Sequence, residues 1–496
     1  MRLIDLFDQN ILNALPKGAA EQKATGVTAD SRQVSAGMIF VAIKGHTHDG
    51  HAFIQDAIKN GAVAVVSEEA VSTADALVIH VENSRLMLSR LAKAFTPGQP
   101  SIIAAVTGTN GKTSVADFLR QIWQQIGWRS ASIGTLGVRG AHLDDVAGLS
   151  NLTTPDAIEL HRSLNALSKA GVTNLAMEAS SHGLEQNRLS SVFITAAGFT
   201  NLSRDHLDHH DSMDAYFDAK ARLFNDHLPK GGGAVINIDD ASGVKLVKRL
   251  KGREMNIITI GRDPKAMMRI ESINHFDGGM TMTVAHEDQR WTIPIALMGE
   301  FQAENALMAA ALAYASGLSM THALMALPYL KPAPGRMQTV HGHPKGAAVI
   351  VDYAHTPDAL KTALVTLRSQ TKGRLSVVFG CGGDRDQGKR AEMGAIAAKH
   401  ADRVIITDDN PRHEDPSVIR AAIHQAAPNA ENIADRHAAI RLGLEELDQG
   451  DVLLIAGKGH ENNQLIGSET LPFSDEAVVS AIISDMAADA EQGGAA

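Results

Sequence analysis

The chain has 496 residues, too many for one hydrophobic core, and is therefore expected to divide into several domains. Its 44% apolar and 21% charged residues are those of a globular protein, and a formal charge of −10 argues against nucleic acid or an anionic membrane as partner. A single cysteine, Cys381, excludes an internal disulfide framework; no signal-peptide core follows Met1 and no apolar run reaches membrane length, so the cytoplasm is the expected compartment.

Up to residue 97, short apolar runs at Met38–Ile43, Ala62–Val66 and Ala76–Val81 alternate with helical patterns, which predicts a small α/β unit. Its polar stretches Asp30-Ser31-Arg32 and Gly45-His46-Thr47-His48-Asp49-Gly50 read first as turns, with a binding role as the alternative. Pro97 to Pro100 is a linker.

Ile102–Val106 then reads as a buried strand, followed by Gly108-Thr109-Asn110-Gly111-Lys112-Thr113-Ser114. Val115, Phe118, Leu119, Ile122, Trp123 and Ile126 repeat at helical spacing beyond it. Strand, glycine turn and helix make a phosphate cradle. Glycines allow close approach of the backbone, the helix N-terminus and Lys112 supply positive charge, and a Thr113 or Ser114 hydroxyl can ligate Mg²⁺. The loop departs from the standard P-loop, because Gly108 and Gly111 enclose two residues and not four.

Strand–helix alternation continues, as in a mostly parallel sheet. Val172–Met177 runs into Glu178, and Thr195–Thr200 runs into Asn201 and then Arg204-Asp205-His206. Chemistry in such sheets sits beyond the strand carboxyl ends, so Glu178 and His206 are predicted to approach the phosphate loop and share a metal. Lys220, within the helical stretch Asp214–Phe224, reads from its residues alone as a surface lysine with a buried stem. Gly278-Gly279 predicts a hairpin, and Met298–Asn305 opens an Ala-rich helix. Pro332, Pro334 and Gly335 break the chain before Arg336. Four strand–loop–helix units follow: Ala347–Val351 into Asp352-Tyr353-Ala354-His355, Leu375–Phe379 into Gly380–Arg385, Val404–Thr407 into Asp408–Arg412, and Val452–Ala456 into Gly457–Glu461. The predicted architecture is α/β in three domains: a small N-terminal α/β domain (1–97), a central P-loop-type ATPase domain with a mostly parallel sheet (98–332), and a C-terminal Rossmann-like domain (333–496).

The shortened phosphate loop resembles the ATP-binding loop of the Mur ligase and folylpolyglutamate synthetase superfamily. With Glu178–Gly183, Asn201–His206, Tyr353-Ala354-His355 and Asp409-Asn410-Pro411-Arg412 in this order, nearly the whole chain resembles the Mur ligases. The last tetrapeptide is similar to the recognition motif of members that add diaminopimelate, as against lysine. The resemblance implies ATP and Mg²⁺ as cofactors, small-molecule substrates without nucleic acid or membrane, and a monomer. It assigns Ser31, His46, Thr47 and His48 to a UDP group, and Thr153, Thr154, Ser180, Gln186 and Arg188 to a muramoyl dipeptide. Asn305, Arg336, Asp352 and His355 join the loop around the nucleotide; Thr113, Glu178, His206 and Lys220, the last as a carbamate, surround the metal. Arg385, Asp409, Asn410, Pro411, Arg412, Gly457 and Glu461 fall in the amino-acid pocket. There the arginines suit the distal carboxylate of diaminopimelate and Glu461 its ammonium. Leu152 stands where the family often has Asn, and Ser114 where a second Thr is common. The implied reaction is amide-bond formation through an acyl phosphate. A lysine-adding or other ligase of the superfamily, and a nucleotide-gated ATPase that ligates nothing, are the alternatives.

Overall fold

Three parallel-rich sheets succeed one another along the chain. The computed structural model describes residues 1–493 apart from 46–47, 72, 74, 142, 144–151, 206–208 and 277–278, with side chains to 489. In the first sheet β1 (Gly26–Thr28), β2 (Met38–Val41), β3 (Ala64–Ser67) and β4 (Leu77–His80) lie in sequence order, all parallel. The strands are shorter than the apolar runs that predict them. Ala62, for example, is buried but bonds back to the carbonyl of Ala57 and does not join the ladder.

The second sheet has ten strands: β5 (Ile102–Thr107), β6 (Ser130–Gly134), β7 (Gly137–Gly140), β8 (Asn174–Glu178), β9 (Ala196–Phe199), β10 (Gly233–Asn237), β11 (Asn256–Gly261), β12 (Met268–Phe276), β13 (Gly279–His286) and β14 (Gln289–Ile295). Their order is β14-β13-β12-β11-β10-β9-β5-β8-β6-β7. β5 enters at the middle and is flanked by the later strands β8 and β9, both parallel to it. A crevice therefore opens beyond its carboxyl end, where the chain diverges to either side. Val106 pairs with Glu178 on one side and Gly198 on the other, so the loop after β5 emerges between Glu178 and Thr200. The helix Lys112–Gln125 buries the predicted stripe Val115, Phe118, Leu119, Ile122 and Trp123 against one face, alongside the Ala-rich helix Glu300–Ala315. Small side chains on that second helix let it lie close to the sheet. The predicted hairpin is β12 with β13, extended by β14; residues 277–278 lie outside the described residues.

The third sheet orders β15 (Gln338–Val340), β16 (Ala348–Asp352), β17 (Leu375–Phe379), β18 (Arg403–Ile406), β19 (Glu431–Asn432) and β20 (Val452–Ala456) as β15-β16-β20-β17-β18-β19. The four predicted strands are its parallel centre, and β15 adds an antiparallel edge. The hairpin β21 (Asn463–Ile466) and β22 (Glu469–Pro472) follows. None of the described helices is long and apolar enough to cross a membrane.

Beneath this sheet's loops lies a fully buried ion pair. Arg436 donates to both carboxylate oxygens of Asp475 at 2.8 Å, and to the carbonyl of Ala456 at 3.0 Å. Removing one partner leaves an uncompensated buried charge. Asp475→Ala is expected to cost about 3–5 kcal/mol in urea unfolding of the third sheet, and Arg436→Met/Asp475→Leu to recover most of it.

Candidate active site

The loop after β5 is shaped by what it touches. Gly108 has φ +150°, and a Cβ there would lie 1.9 Å from the Thr200 hydroxyl; Gly111 has φ +87°, and its Cβ would lie 2.4 Å from Asn305 Oδ1. Only glycine fits either position. The loop is stitched to the end of β9: Thr109 N donates to the Asn201 carbonyl (2.9 Å), Asn110 N to Asn201 Oδ1 (2.9 Å), and Thr200 Oγ1 to the Asn110 carbonyl (2.6 Å).

Two lysines converge on this loop. Lys112 Nζ folds back to the carbonyls of Gly108 (2.9 Å) and Thr109 (2.8 Å), and Lys220 Nζ donates to the same Gly108 carbonyl (2.7 Å). The surface reading of Lys220 is thus wrong: it is 1% exposed, with its ammonium 4.3 Å above the Tyr216 ring. Position 220 follows Tyr216 by four and Phe217 by three, so it shares the buried face of the helix Met213–Arg222. Burial pushes the Lys220 pKa well below the usual lysine range, Lys112 pushes it further, and Asp205 opposes. Lys112 is lowered too, by burial, against the opposing charges of Glu178 and Asp205.

Glu178, 2% exposed at the end of β8, faces the other side of the loop. Its Oε2 accepts from Thr113 Oγ1 (3.1 Å) and Thr135 Oγ1 (3.2 Å), and its Oε1 from Thr135 N (2.8 Å). Hydroxyl and carboxylate oxygens meeting beside a phosphate cradle are the donor set of a hard divalent cation such as Mg²⁺, so these residues fit one. Lys220 as an amine supplies no such oxygen. His206 lies outside the described residues.

The residues predicted to hold a muramoyl dipeptide form one network. Thr154 Oγ1 donates to the Glu178 carbonyl (3.0 Å) and accepts from Ser180 N and Oγ (both 3.0 Å). Arg188 donates to the Thr154 carbonyl (2.6 Å) and to Gln186 Oε1 (2.9 Å), and Thr153 Oγ1 lies 3.0 Å from Thr135 Oγ1. Leu152, beside them, is 52% exposed. Ser31 and His48 are carried by turns of the first sheet: the Ser31 carbonyl accepts from Asn60, and the His48 carbonyl closes a turn onto Gly45 N. His46 and Thr47 lie outside the described residues. His182, His209 and His210 bring ring nitrogens within 4.8 Å of one another. His182 and His209 stack with planes 27° apart, His209 Nε2 lies 2.8 Å from Glu185 Oε2, and His210 Nε2 lies 3.0 Å from Ser181 Oγ.

The third unit closes over the loop. Arg336 Nη2 donates to Thr113 Oγ1 (3.1 Å) while its guanidinium covers the Tyr353 ring at 4.3 Å, and Asn110 Nδ2 reaches Asp358 (3.3 Å). Asp352 accepts from Met337 N (2.7 Å) and Ala354 N (2.9 Å), and burial raises its pKa. Burial lowers that of His355, whose Nδ1 sits 2.8 Å from the Tyr353 carbonyl. A cleft of about 300 Å³ separates Asn110, Gly111, Ser114 and Asn305 from Asp352 and His355.

A second cleft, about 450 Å³, receives Arg385, Asp409, Asn410, Arg412, Gly457 and Glu461. Arg385 is exposed, and Arg412 Nη1 donates to the Gly383 carbonyl (2.8 Å). Pro411, next to Arg412 in the chain, is buried. Asn187, Met337, Asp384 and Arg412 all have φ between +48° and +56°, each at or next to a predicted site residue. Non-glycine residues held there mark positions where the fold imposes a conformation.

Sequence reading missed Thr135, Tyr216, Asp358 and Lys458. Thr135 carried a signal, a hydroxyl one residue past the end of a strand, as Glu178 is at the end of another.

Fold and site together define a phosphate-loop enzyme of three α/β units whose third unit reaches over the loop. The chain matches the Mur ligase family catalytic domain over residues 23–96, the Mur ligase middle domain over 106–313 and the Mur ligase glutamate ligase domain over 335–459. It is 48% identical over 491 residues, 98% of this chain and all of the relative, to the UDP-N-acetylmuramoyl-L-alanyl-D-glutamate–2,6-diaminopimelate ligase of Bradyrhizobium diazoefficiens. A solved structure of a ligase of that name superposes with TM-score 0.71 at 35% identity, covering 98% of this chain and 99% of the other. The MurF ligase of Thermotoga maritima, solved with ADP, shares the fold at TM-score 0.61 and 19% identity, over 94% of this chain and 97% of its own. The chain belongs to the Mur ligase family.

Gly111→Ala tests the loop directly. Strain at φ +87° together with the collision with Asn305 is expected to cost on the order of 1–3 kcal/mol, weakening ATP binding in calorimetric titration about 5- to 150-fold with an unchanged circular dichroism spectrum.

Proposed function

We propose that this protein is an ATP-dependent amide ligase that joins meso-diaminopimelate to the D-glutamate of UDP-N-acetylmuramoyl-L-alanyl-D-glutamate, in peptidoglycan precursor synthesis. One observation carries the reading: Thr153, Asp205, Tyr353 and His355 line both the cavity around the phosphate loop and the cleft holding Arg385, Arg412 and Glu461. A phosphorylated carboxylate made at the first is thus within reach of an amine held at the second. The names of relatives that align from end to end support the same substrates.

The D-glutamyl side-chain carboxylate attacks the γ-phosphorus of ATP, ADP leaves, and an acyl phosphate results. The unprotonated amine of diaminopimelate then attacks the acyl carbon, phosphate departs, and an amide remains. Lys112 and the loop N–H groups offset the negative charge of the reacting phosphates. Thr113 and Glu178, joined by His206 and a carbamylated Lys220, are the residues to hold Mg²⁺, which when bound supplies further neutralising charge. Carbamylation needs the free-base amine, and the depressed pKa of Lys220 supports its availability. Thr153, Thr154, Ser180, Gln186 and Arg188 hold the muramoyl dipeptide, and Ser31 with His46, Thr47 and His48 the UDP group. Asn305, Arg336, Asp352 and His355 border the nucleotide. Arg336 and Asp358, reaching the loop from the third unit, exclude water that would hydrolyse the acyl phosphate. The three units correspond to a UDP-substrate domain (1–97), an ATP domain (98–332) and an amino-acid domain (333–496). The enzyme works as a monomer in the cytoplasm, where ATP is supplied.

The test is a matrix of acceptors and amino acids. Phosphate should be released only when the UDP-muramoyl dipeptide and diaminopimelate are both present; release with ATP alone would make the protein an ATPase that ligates nothing. In Arg412→Ala, loss of a charge-assisted pair to the distal carboxylate is expected to cost about 2–5 kcal/mol, or about 30- to 5,000-fold in kcat/KM for diaminopimelate. The KM values for ATP and the UDP-muramoyl dipeptide should hardly move, and discrimination against lysine should shrink. Lys220→Ala should be nearly inactive and partly rescued by short-chain carboxylates, read as ligation rate against added formate or acetate.

A further inference from the structure

Lys458 is fully buried at the root of the amino-acid cleft, and neither the motifs nor the reaction above uses it. Its Nζ donates to Asn410 Oδ1 (3.0 Å) and to Glu461 Oε2 (3.1 Å). Asn410 Oδ1 also accepts from Leu465 N (3.0 Å), while Asn410 Nδ2 donates to the same Glu461 oxygen (2.8 Å). Two donors on the amide oxygen and an acceptor on its nitrogen leave one orientation for Asn410. Glu461 Oε2 is consumed by these two donors. Its Oε1 takes no hydrogen bond among the described residues, and the side chain, 26% exposed, borders the cleft.

We propose that Lys458 is a positioning residue for amino-acid recognition: it locks Asn410 and the far oxygen of Glu461, so that the near oxygen alone is presented to the ligand's ammonium group. The inference rests on the ligase reading of this cleft. Buried cations are costly unless paired, and a lysine serving only to support the loop backbone would bond to carbonyls. That support exists separately. Arg436 ties the roots of both loops through the carbonyls of Ala456 (3.0 Å) and Asp408 (3.5 Å), and Gln464 Nε2 holds the Asp409 carbonyl (2.7 Å). Among the described residues, Lys458 Nζ donates only to the side chains of Asn410 and Glu461, which line the cleft. Without it, the Asn410 amide loses one of its two fixing donors and Glu461 its ionic partner, so the carboxylate is free to turn from the ammonium.

The experiment is steady-state kinetics of the full chain with Lys458→Met, Lys458→Gln, Glu461→Gln and the double variant Lys458→Met/Glu461→Gln. In Lys458→Met the KM for diaminopimelate should rise about tenfold or more, with the KM values for ATP and the UDP-muramoyl dipeptide within about twofold of wild type. Lys458→Gln, which keeps a donor for Asn410 without the charge, should fall between and covers the case in which the Met variant does not fold. In the Glu461→Gln background, loss of Lys458 should add less than about threefold, because a residue acting through Glu461 has little left to position. An unchanged KM for diaminopimelate, a parallel rise in all three KM values, or a full additive loss in the double variant would overturn the proposal. Wild-type enzyme that fails to ligate diaminopimelate in the same assay would instead overturn the ligase reading.

Discussion

Two lysine ammonium groups donate to a single backbone oxygen, the carbonyl of Gly108, at 2.9 and 2.7 Å. Burial is the main cause that depresses the pKa of both lysines, and the nearby charge of Lys112 adds to it at Lys220. Such an arrangement is tolerable only where anions complete it. Glu178 and Asp205 provide part of the compensation, and the phosphates of a bound nucleotide would provide the rest. The proposed carbamate relieves the conflict differently, by turning Lys220 from a second cation into a ligand for one. The phosphate loop is thus poised around a deficit of negative charge, and the surrounding polar network keeps that deficit in place.

The same constraint explains why the site needs a second unit of structure. Thr113 donates its hydroxyl proton to Glu178 and accepts from Arg336, so one small side chain links the loop to a guanidinium 223 residues further along. Asn110 and Asp358 make a second link across the gap. Asn110, Arg336 and Asp358 all border the cleft of about 300 Å³ beside the phosphate loop, so both contacts hold the third unit against that loop. Of the five non-glycine residues with positive φ among those described, three line the two clefts or adjoin a residue that does, while Glu287 lies in the turn between β13 and β14. Met337 adjoins Arg336, and Asp384 and Arg412 belong to the loops after β17 and β18, where tertiary contacts hold φ values that the residues alone disfavour.

In the cleft lined by Arg385, Arg412 and Glu461 the fold buries charge beneath charge. Arg436 and Asp475 fix the roots of the loops, Lys458 and Asn410 fix Glu461, and the hairpin β21–β22 clasps Arg412 through its own N–H and carbonyl. Recognition of a ligand that carries both signs of charge requires oriented partners of both signs, each held so that it cannot satisfy its neighbour instead.

The phosphate loop, its flanking strand and helix, and the polar ends of the parallel strands were legible in the order of residues. Each rests on contacts between near neighbours: a period of 3.6 in Val115–Trp123, an apolar run in β5, glycines at fixed spacing. The identity of the motifs carried the family as well. Lys220 was misread from its residues because its helix looks the same whether that face meets solvent or the loop 112 residues earlier. Asp358 and Lys458 were silent for the same reason. Their roles come from which strands stand side by side, with β8 and β9 flanking β5, and β20 lying between β16 and β17. Periodicity states that a segment has a buried face. Only the packed sheets decide what that face meets, because strand order is set by long-range burial and pairing that no local pattern encodes.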